Sequence, residues 1–262
     1  ISKSELPLKK VGYPALPKIK EETWEEAIKC SKELRRKRGR MDEPFGKIDT
    51  AIARLAPEIY KSDSQEFPAA AEVNLTVLRT SMEMFFPRPG RKPGEPEFSL
   101  KSAVKAAEKA MDIRILFGPD KVGLSDAQKS WLKTEVPAVI RKRIEVRKSG
   151  TSGSGMESEA RLARNIVDLG ISKPEELGLP SSFWEAMKDT LNRLKERGAW
   201  SRVAEAAASV AVLDAKKAKE MISLKDWQAM LATQEELEKK GDWPQYTTMY
   251  AEMTRFLDAV KE

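Results

Sequence analysis

Histidine is absent from all 262 residues. Without an imidazole, this chain cannot supply a Ser-His-Asp or Cys-His nucleophile pair, a histidine metal ligand, or a proton relay near neutral pH. Cysteine is nearly absent. Cys30 alone excludes an internal disulfide, a zinc ribbon and an iron–sulfur cluster within the chain. Cys30 sits beside Lys29 and Lys32 with no base partner, which makes it a structural thiol rather than a nucleophile. Long apolar runs are missing as well, and none approaches the ~18 residues a membrane-spanning helix needs. Gly150, Gly153 and Gly155 lack the lysine and the preceding strand of a phosphate-binding loop. No segment alternates polar and apolar residues for long enough to be a strand. These absences predict a chain that is not an enzyme and carries no cofactor or metal.

What is present is charge and helical periodicity. Charged residues make up 34% of the chain, above the roughly 25% of an ordinary globular domain. Apolar residues make up 40%, enough for a packed core. The net charge of +6 divides unevenly. Residues 1–148 hold 31 Lys+Arg against 22 Asp+Glu, and residues 156–262 hold 16 against 19. Halves of opposite sign imply surfaces with different tasks, the basic one suited to an acidic partner.

Residues 1–20 contain Pro7, Pro14 and Pro17 and no sustained period, so they read as an extended arm. Residues 21–148 read as a basic helical domain. Thr23 and Glu26 have capping-box spacing, and the helix they open runs to Gly39. Ile48, Ala51, Ile52 and Leu55 mark a second helix, broken at Pro57. A third starts at Pro68 and carries Val73, Val77, Met82 and Phe86. A fourth, with Leu100, Val104, Ala107, Met111 and Ile115, ends at Gly118-Pro119. A fifth follows the Ser125/Gln128 cap and bends at Pro137.

Residues 149–155, SGTSGSG, read as a flexible linker. Residues 156–262 read as a four-helix-bundle-like domain. Its helix stops are Gly170 and Gly198, with caps at Ser182/Glu185 and Ser223/Asp226 and a last helix from Asp242. The fold expected is all-α: up-and-down helical bundles in two halves joined by a linker.

The candidate binding residues are cationic. Arg35, Arg36, Lys37, Arg38 and Arg40 form the densest cluster, and Arg141, Lys142 and Arg143 close a later helix. Arginine's planar fork suits phosphate or carboxylate, whereas a basic helix C-terminus also complements the macrodipole and faces water. On the arm, Lys9, Lys10, Tyr13, Lys18 and Lys20 are the residues able to reach a partner. Nucleic acid is the alternative partner, through Arg35–Arg40 and Arg141–Lys148, although no nucleic-acid motif or interleaved aromatics accompany either cluster. The adjacent carboxylates Glu21-Glu22, Glu25-Glu26, Asp42-Glu43, Glu175-Glu176 and Glu235-Glu236 lie on lysine-rich faces or in first turns, and read as solvated surface. Five of the six tryptophans fall near predicted helix starts, where a large amphipathic ring staples helix to core.

Residues 160–262 carry one further pattern. ARNIVDLG is followed by Trp184 and Leu191, then LDAKKAKEMI, then LEKKGDWPQYTTMYAEMTRFLDAVKE with Lys239-Lys240, Tyr246, Tyr250 and Leu257. This resembles the PsbQ-type extrinsic proteins of photosystem II, lysine-rich four-helix bundles with a proline-rich amino-terminal arm. The resemblance covers about two-fifths of the chain, and residues 21–148 have no counterpart in that family. It implies a plastid location at the lumenal face of the thylakoid and a non-catalytic role. The partner it implies is a large membrane-embedded complex with an acidic docking face.

Overall fold

The computed structural model describes residues 12–38, 47–57, 68–86, 100–148 and 155–261, with backbone only for 35–38, 68–74, 100–101 and 147–148. Among these residues there are eleven α-helices and no strand, so the fold is an all-α helical bundle. The first half supplies α1 (Glu21–Arg38), α2 (Lys47–Leu55), α3 (Pro68–Glu83), α4 (Leu100–Phe117) and α5 (Asp126–Lys148). The second supplies α6 (Glu157–Asp168), α7 (Ser181–Glu196), α8 (Trp200–Leu213), α9 (Ala215–Met221), α10 (Leu224–Lys240) and α11 (Trp243–Lys261).

Local chemistry explains most helix ends. The Ser125 hydroxyl accepts from the Gln128 N–H at 3.2 Å, and the Gln128 side chain takes the Ser125 N–H at 2.8 Å. Ser223 and Asp226 form the same reciprocal pair at the start of α10. Two orphan N–H groups are satisfied each time. Gly118 takes φ 100° to stop α4, which only glycine does without strain. At the end of α10, Gly241 adopts φ 67° while the Asp242 N–H returns to the Leu237 carbonyl at 3.0 Å. Helix α2 stops at Leu55, two residues before Pro57.

Three local expectations are corrected. Thr23 does not cap α1. The helix begins at Glu21, and the buried Thr23 hydroxyl donates to Glu238 Oε1 at 2.8 Å, 215 residues away. Ser182 does not cap α7, because Pro180 already occupies the cap with extended backbone and its carbonyl takes the Phe183 N–H. The core residues of α3 and the turn after it are Leu78, Met82 and Phe86, while Val77 is 37% exposed. Met82 and Phe86 are buried as expected, and Leu78, four residues before Met82, takes the inward place expected of Val77.

Helix α8 sits at the centre of the second half, against α6, α7, α9, α10 and α11. Its buried residues Ala204, Ala206, Ala207, Ala208 and Ala211 let neighbouring backbones approach closely. Helix α5 buries Leu132, Val136, Ile140 and Ile144, one residue per turn, and continues through Pro137. The run 149–154 lies outside the described residues. Gly155, the last residue of the expected linker, is packed tightly enough that a Cβ there would lie 2.9 Å from the Thr190 methyl. Met156 is fully buried, with its N–H on Thr190 Oγ1 at 3.2 Å.

The apolar core is continuous from one half to the other. One cluster joins Leu78, Ala107, Ile113 and Ile140 to Leu162, Leu191, Val210 and Phe256. Helix α4 packs on α6, α5 on α6 and α7, and α1 and α2 on α11. A smaller cluster of Ile48, Ile52 and Ala53 is covered by Trp24, Ile28 and Cys30 from α1 and by Trp243 from α11.

Candidate functional site

Two regions where the first half meets the second carry more chemistry than packing requires. The first is the seat of the arm. Residues 12–20 have no regular secondary structure and lie along α10 and α11. The Tyr13 hydroxyl donates to the Ile222 carbonyl at 2.6 Å. The Trp227 indole N–H donates to the Pro14 carbonyl at 3.1 Å, and the Tyr250 hydroxyl donates to the Pro17 carbonyl at 2.8 Å. The Tyr13 ring packs at 5.0 Å edge-to-face on Phe256 and at 5.5 Å on Trp227. Leu16 and Ile19 rest against the same core. Every third residue of the arm packs inward: Tyr13, Leu16 and Ile19 are half-buried, while Lys18 and Lys20 are exposed. Burial, and then the nearby Asp226 carboxylate, push the Tyr13 phenol above its ordinary value.

The second region is a seam of ions. Arg164 of α6 donates to Glu252 Oε2 of α11 at 2.6 Å, and Arg54 of α2 reaches the other oxygen, Oε1, at 3.4 Å. Arg161 of α6 bridges Glu205 of α8 at 2.7 Å and Glu108 of α4 at 3.0 Å, and Lys105 pairs with Glu108 at 3.2 Å. Arg255 meets Asp168, and Arg143 of α5 meets the buried Glu159 at 3.2 Å. These groups come from α2, α4, α5, α6, α8 and α11, so the seam stitches the two halves together. A cavity of about 410 Å³ opens between α2, α4, α6, α8 and α11, and Lys47, Arg54, Lys105, Arg161, Arg164 and Glu252 are part of its wall.

The electrostatics follow from burial set against pairing. Burial alone would raise the Glu205 carboxyl, but the Arg161 charge and hydrogen bond outweigh it and hold it below the ordinary value. Glu159 goes the other way: burial outweighs its backbone hydrogen bond and Arg143, and the carboxyl is raised. Burial, and then repulsion from Arg164, bring Arg255 down to about 10. Among the described residues, no group of three or more Asp, Glu, Cys or His is placed to hold a metal ion.

The residues singled out in the sequence are dispersed. Tyr13 is half-buried and engaged within its own chain. Lys18 and Lys20 are exposed on the arm, and Arg141 and Lys142 are exposed on α5. Arg143 is engaged with Glu159. Arg35, Arg36, Lys37 and Arg38 form the last turn of α1, their side chains outside the description. Lys9, Lys10 and Arg40 lie outside the described residues. Arg161, Arg164, Glu205 and Glu252 were not singled out, and nothing local marks them. Each is an ordinary helical charge whose burial depends on partners 44 and 88 residues away.

Among the described residues, no helix is long and apolar enough to cross a membrane. No family model, no curated protein and no solved structure matches the chain. The fold and the two regions therefore stand on their own geometry.

Proposed function

We propose that this chain is a non-enzymatic docking subunit of a large assembly, binding an acidic face through its arm and its exposed basic residues. The observation that supports this best is the pinned arm. Three hydrogen bonds to the Ile222, Pro14 and Pro17 carbonyls and a ring cluster fix residues 13–17, and Lys18 and Lys20 project beside them into solvent. A cation on a fixed track loses less conformational freedom on binding than one on a free tail, which favours complementary docking. Arg141 and Lys142 on α5 add a second exposed basic point. The narrower reading is a photosystem II extrinsic subunit at the thylakoid lumen face of a plastid, where the complex would be membrane-embedded. It rests on the likeness of residues 160–262 alone.

The test is capture of native partners by the full chain, compared with Lys18→Glu/Lys20→Glu and Arg141→Glu/Lys142→Glu. Membrane-complex subunits captured by the parent, lost with charge reversal and released by salt, are the expected result. Capture indifferent to both reversals overturns the reading. Recovery of nucleic acid, with a steep salt dependence, transfers it to the basic clusters at Arg35–Arg40 and Arg141–Lys148.

A further inference from the structure

The arm meets α10 and α11 with a period of three. Tyr13, Leu16 and Ile19 are half-buried, and the residues between them are exposed. The two arm carbonyls that accept from the body, those of Pro14 and Pro17, are also three residues apart. A strand would turn every second residue inward. Among the described residues, no backbone–backbone hydrogen bond joins the arm to α10 or α11, as an added strand would require. Three residues per turn is the repeat of the polyproline II helix, whose carbonyls make no internal bonds and stay open to outside donors. The sequence favours that conformation locally. Proline holds φ at about −65° at positions 14 and 17, and it keeps the residue before it out of the α region. Those preceding residues are Tyr13 and Leu16, two of the three that point inward.

We propose that the face of α10 and α11 beneath the arm is a recognition site for a polyproline II peptide, filled in cis by the arm and in trans by a partner protein's proline-containing segment of the same spacing. Aromatic-lined grooves are the usual receptors for Pro-x-x-Pro segments, and Pro14-Ala15-Leu16-Pro17 has that spacing. The donors match it. The Trp227 indole and the Tyr250 hydroxyl take carbonyls one polyproline turn apart, about 9 Å along the peptide. Under the arm, the Trp227 and Phe256 rings stack at 5.5 Å and are 0% and 1% exposed. Departure of the arm would open both rings to water and take the acceptor from the indole N–H. An empty site is therefore unfavourable, and what replaces the arm must bring the same chemistry. The arm also acts as an internal competitor, because a partner segment has to outbind a ligand tethered at millimolar effective concentration. This site uses the inward residues of the arm, whereas the docking proposed above uses the outward Lys18 and Lys20, so either reading can fail alone.

The experiment opens the site in the full chain with Tyr13→Ser/Leu16→Ser/Ile19→Ser and titrates it, by fluorescence anisotropy, with a labelled peptide of residues 12–20, GYPALPKIK. The expected result is saturable 1:1 binding with a Kd of about 0.1 mM or tighter, and binding to the parent chain at least about tenfold weaker, because its own arm competes. The peptide SYPSLPSIS, which keeps only the inward residues and the prolines, should bind within about threefold of the first, showing that spacing and not the lysines is recognised. Tyr250→Phe in the opened chain should weaken binding about twofold or more. Tyr13→Ala alone serves as the opened chain if the triple variant fails to fold. No saturation of a folded, opened chain up to about 1 mM overturns the proposal. So does equal binding by the parent, or by a peptide of the same composition with Tyr, Leu and Ile at adjacent places. Concentration-dependent dimers of the parent that the peptide disperses would make the occupant a second copy's arm and overturn its assignment to a partner protein.

Discussion

The arm and the ion seam both fasten the first half of the chain to α11, and they use different physics to do it. The arm gives one hydroxyl donor, Tyr13, to a carbonyl of the second half, and its own Pro14 and Pro17 carbonyls accept from the Trp227 indole and the Tyr250 hydroxyl. The seam presents guanidiniums and carboxylates in a partly dry interface. The first kind of attachment is indifferent to salt and to pH between the carboxylate and phenol ranges. The second is strong only while both charges are present, because each partner's desolvation is compensated by the other. Helix α11 carries both: Tyr250 and Phe256 hold the arm, while Glu252 anchors the seam.

The sharpest break is on the seam side. Arg164→Ala strands the buried Glu252 carboxylate with only the half-open Arg54, and should cost about 3–5 kcal/mol in denaturant unfolding. Arg164→Met with Glu252→Leu should recover most of that, because it removes the second charge along with the first. Next comes Tyr13→Ala, which removes a half-buried ring and its contacts with Trp227 and Phe256. A loss of about 2 kcal/mol is expected, the same at low and high salt, with hydrogen-exchange protection lost over residues 12–20.

Acidification gives the third contrast. Glu205 has a folded value below 4.5, so its contribution is complete above pH 4.5 and is lost as pH falls through the folded value. Glu205→Gln should flatten the acid limb of the stability curve by on the order of 1 kcal/mol. Glu159 opposes this: its folded value is raised, so its charge costs stability at neutral pH and protonation relieves the cost. The smallest effect belongs to Tyr250→Phe. It deletes only the exposed hydrogen bond to the Pro17 carbonyl and should cost about 0.5 kcal/mol in thermal unfolding, with the rest of the arm kept in place.

The same contrast explains what the sequence disclosed. Helices and their ends were legible where the signal is local. Ser125 with Gln128, Ser223 with Asp226, and glycines at 118, 170 and 198 act within five residues. Thr23 and Ser182 carried the same short signal, but a distant glutamate claimed one and a neighbouring proline displaced the other. The short helix α9 went unseen as an element of its own, although its Asp214 cap holds the Lys217 N–H at 3.0 Å. The arm's extended backbone was readable from its prolines, but the surface it lies on was not, because Tyr13 finds its acceptor 209 residues away. The seam was least readable of all. Arg161 and Arg164 look like any solvated helical charges until α4, α8 and α11 enclose them.

The continuous core has a consequence for the covalent chain itself. Since α1, α2, α4 and α5 hold to the second half by their own side chains, the peptide bonds at 149–154 supply mainly local concentration, not cohesion. A protease nick there turns an intramolecular interface into a two-fragment complex whose pieces stay together in a sizing column and separate only in denaturant. The halves are then candidates for complementation as separately expressed polypeptides. Their reassociation would report the strength of the whole interface, core, arm and seam together, as a dissociation constant.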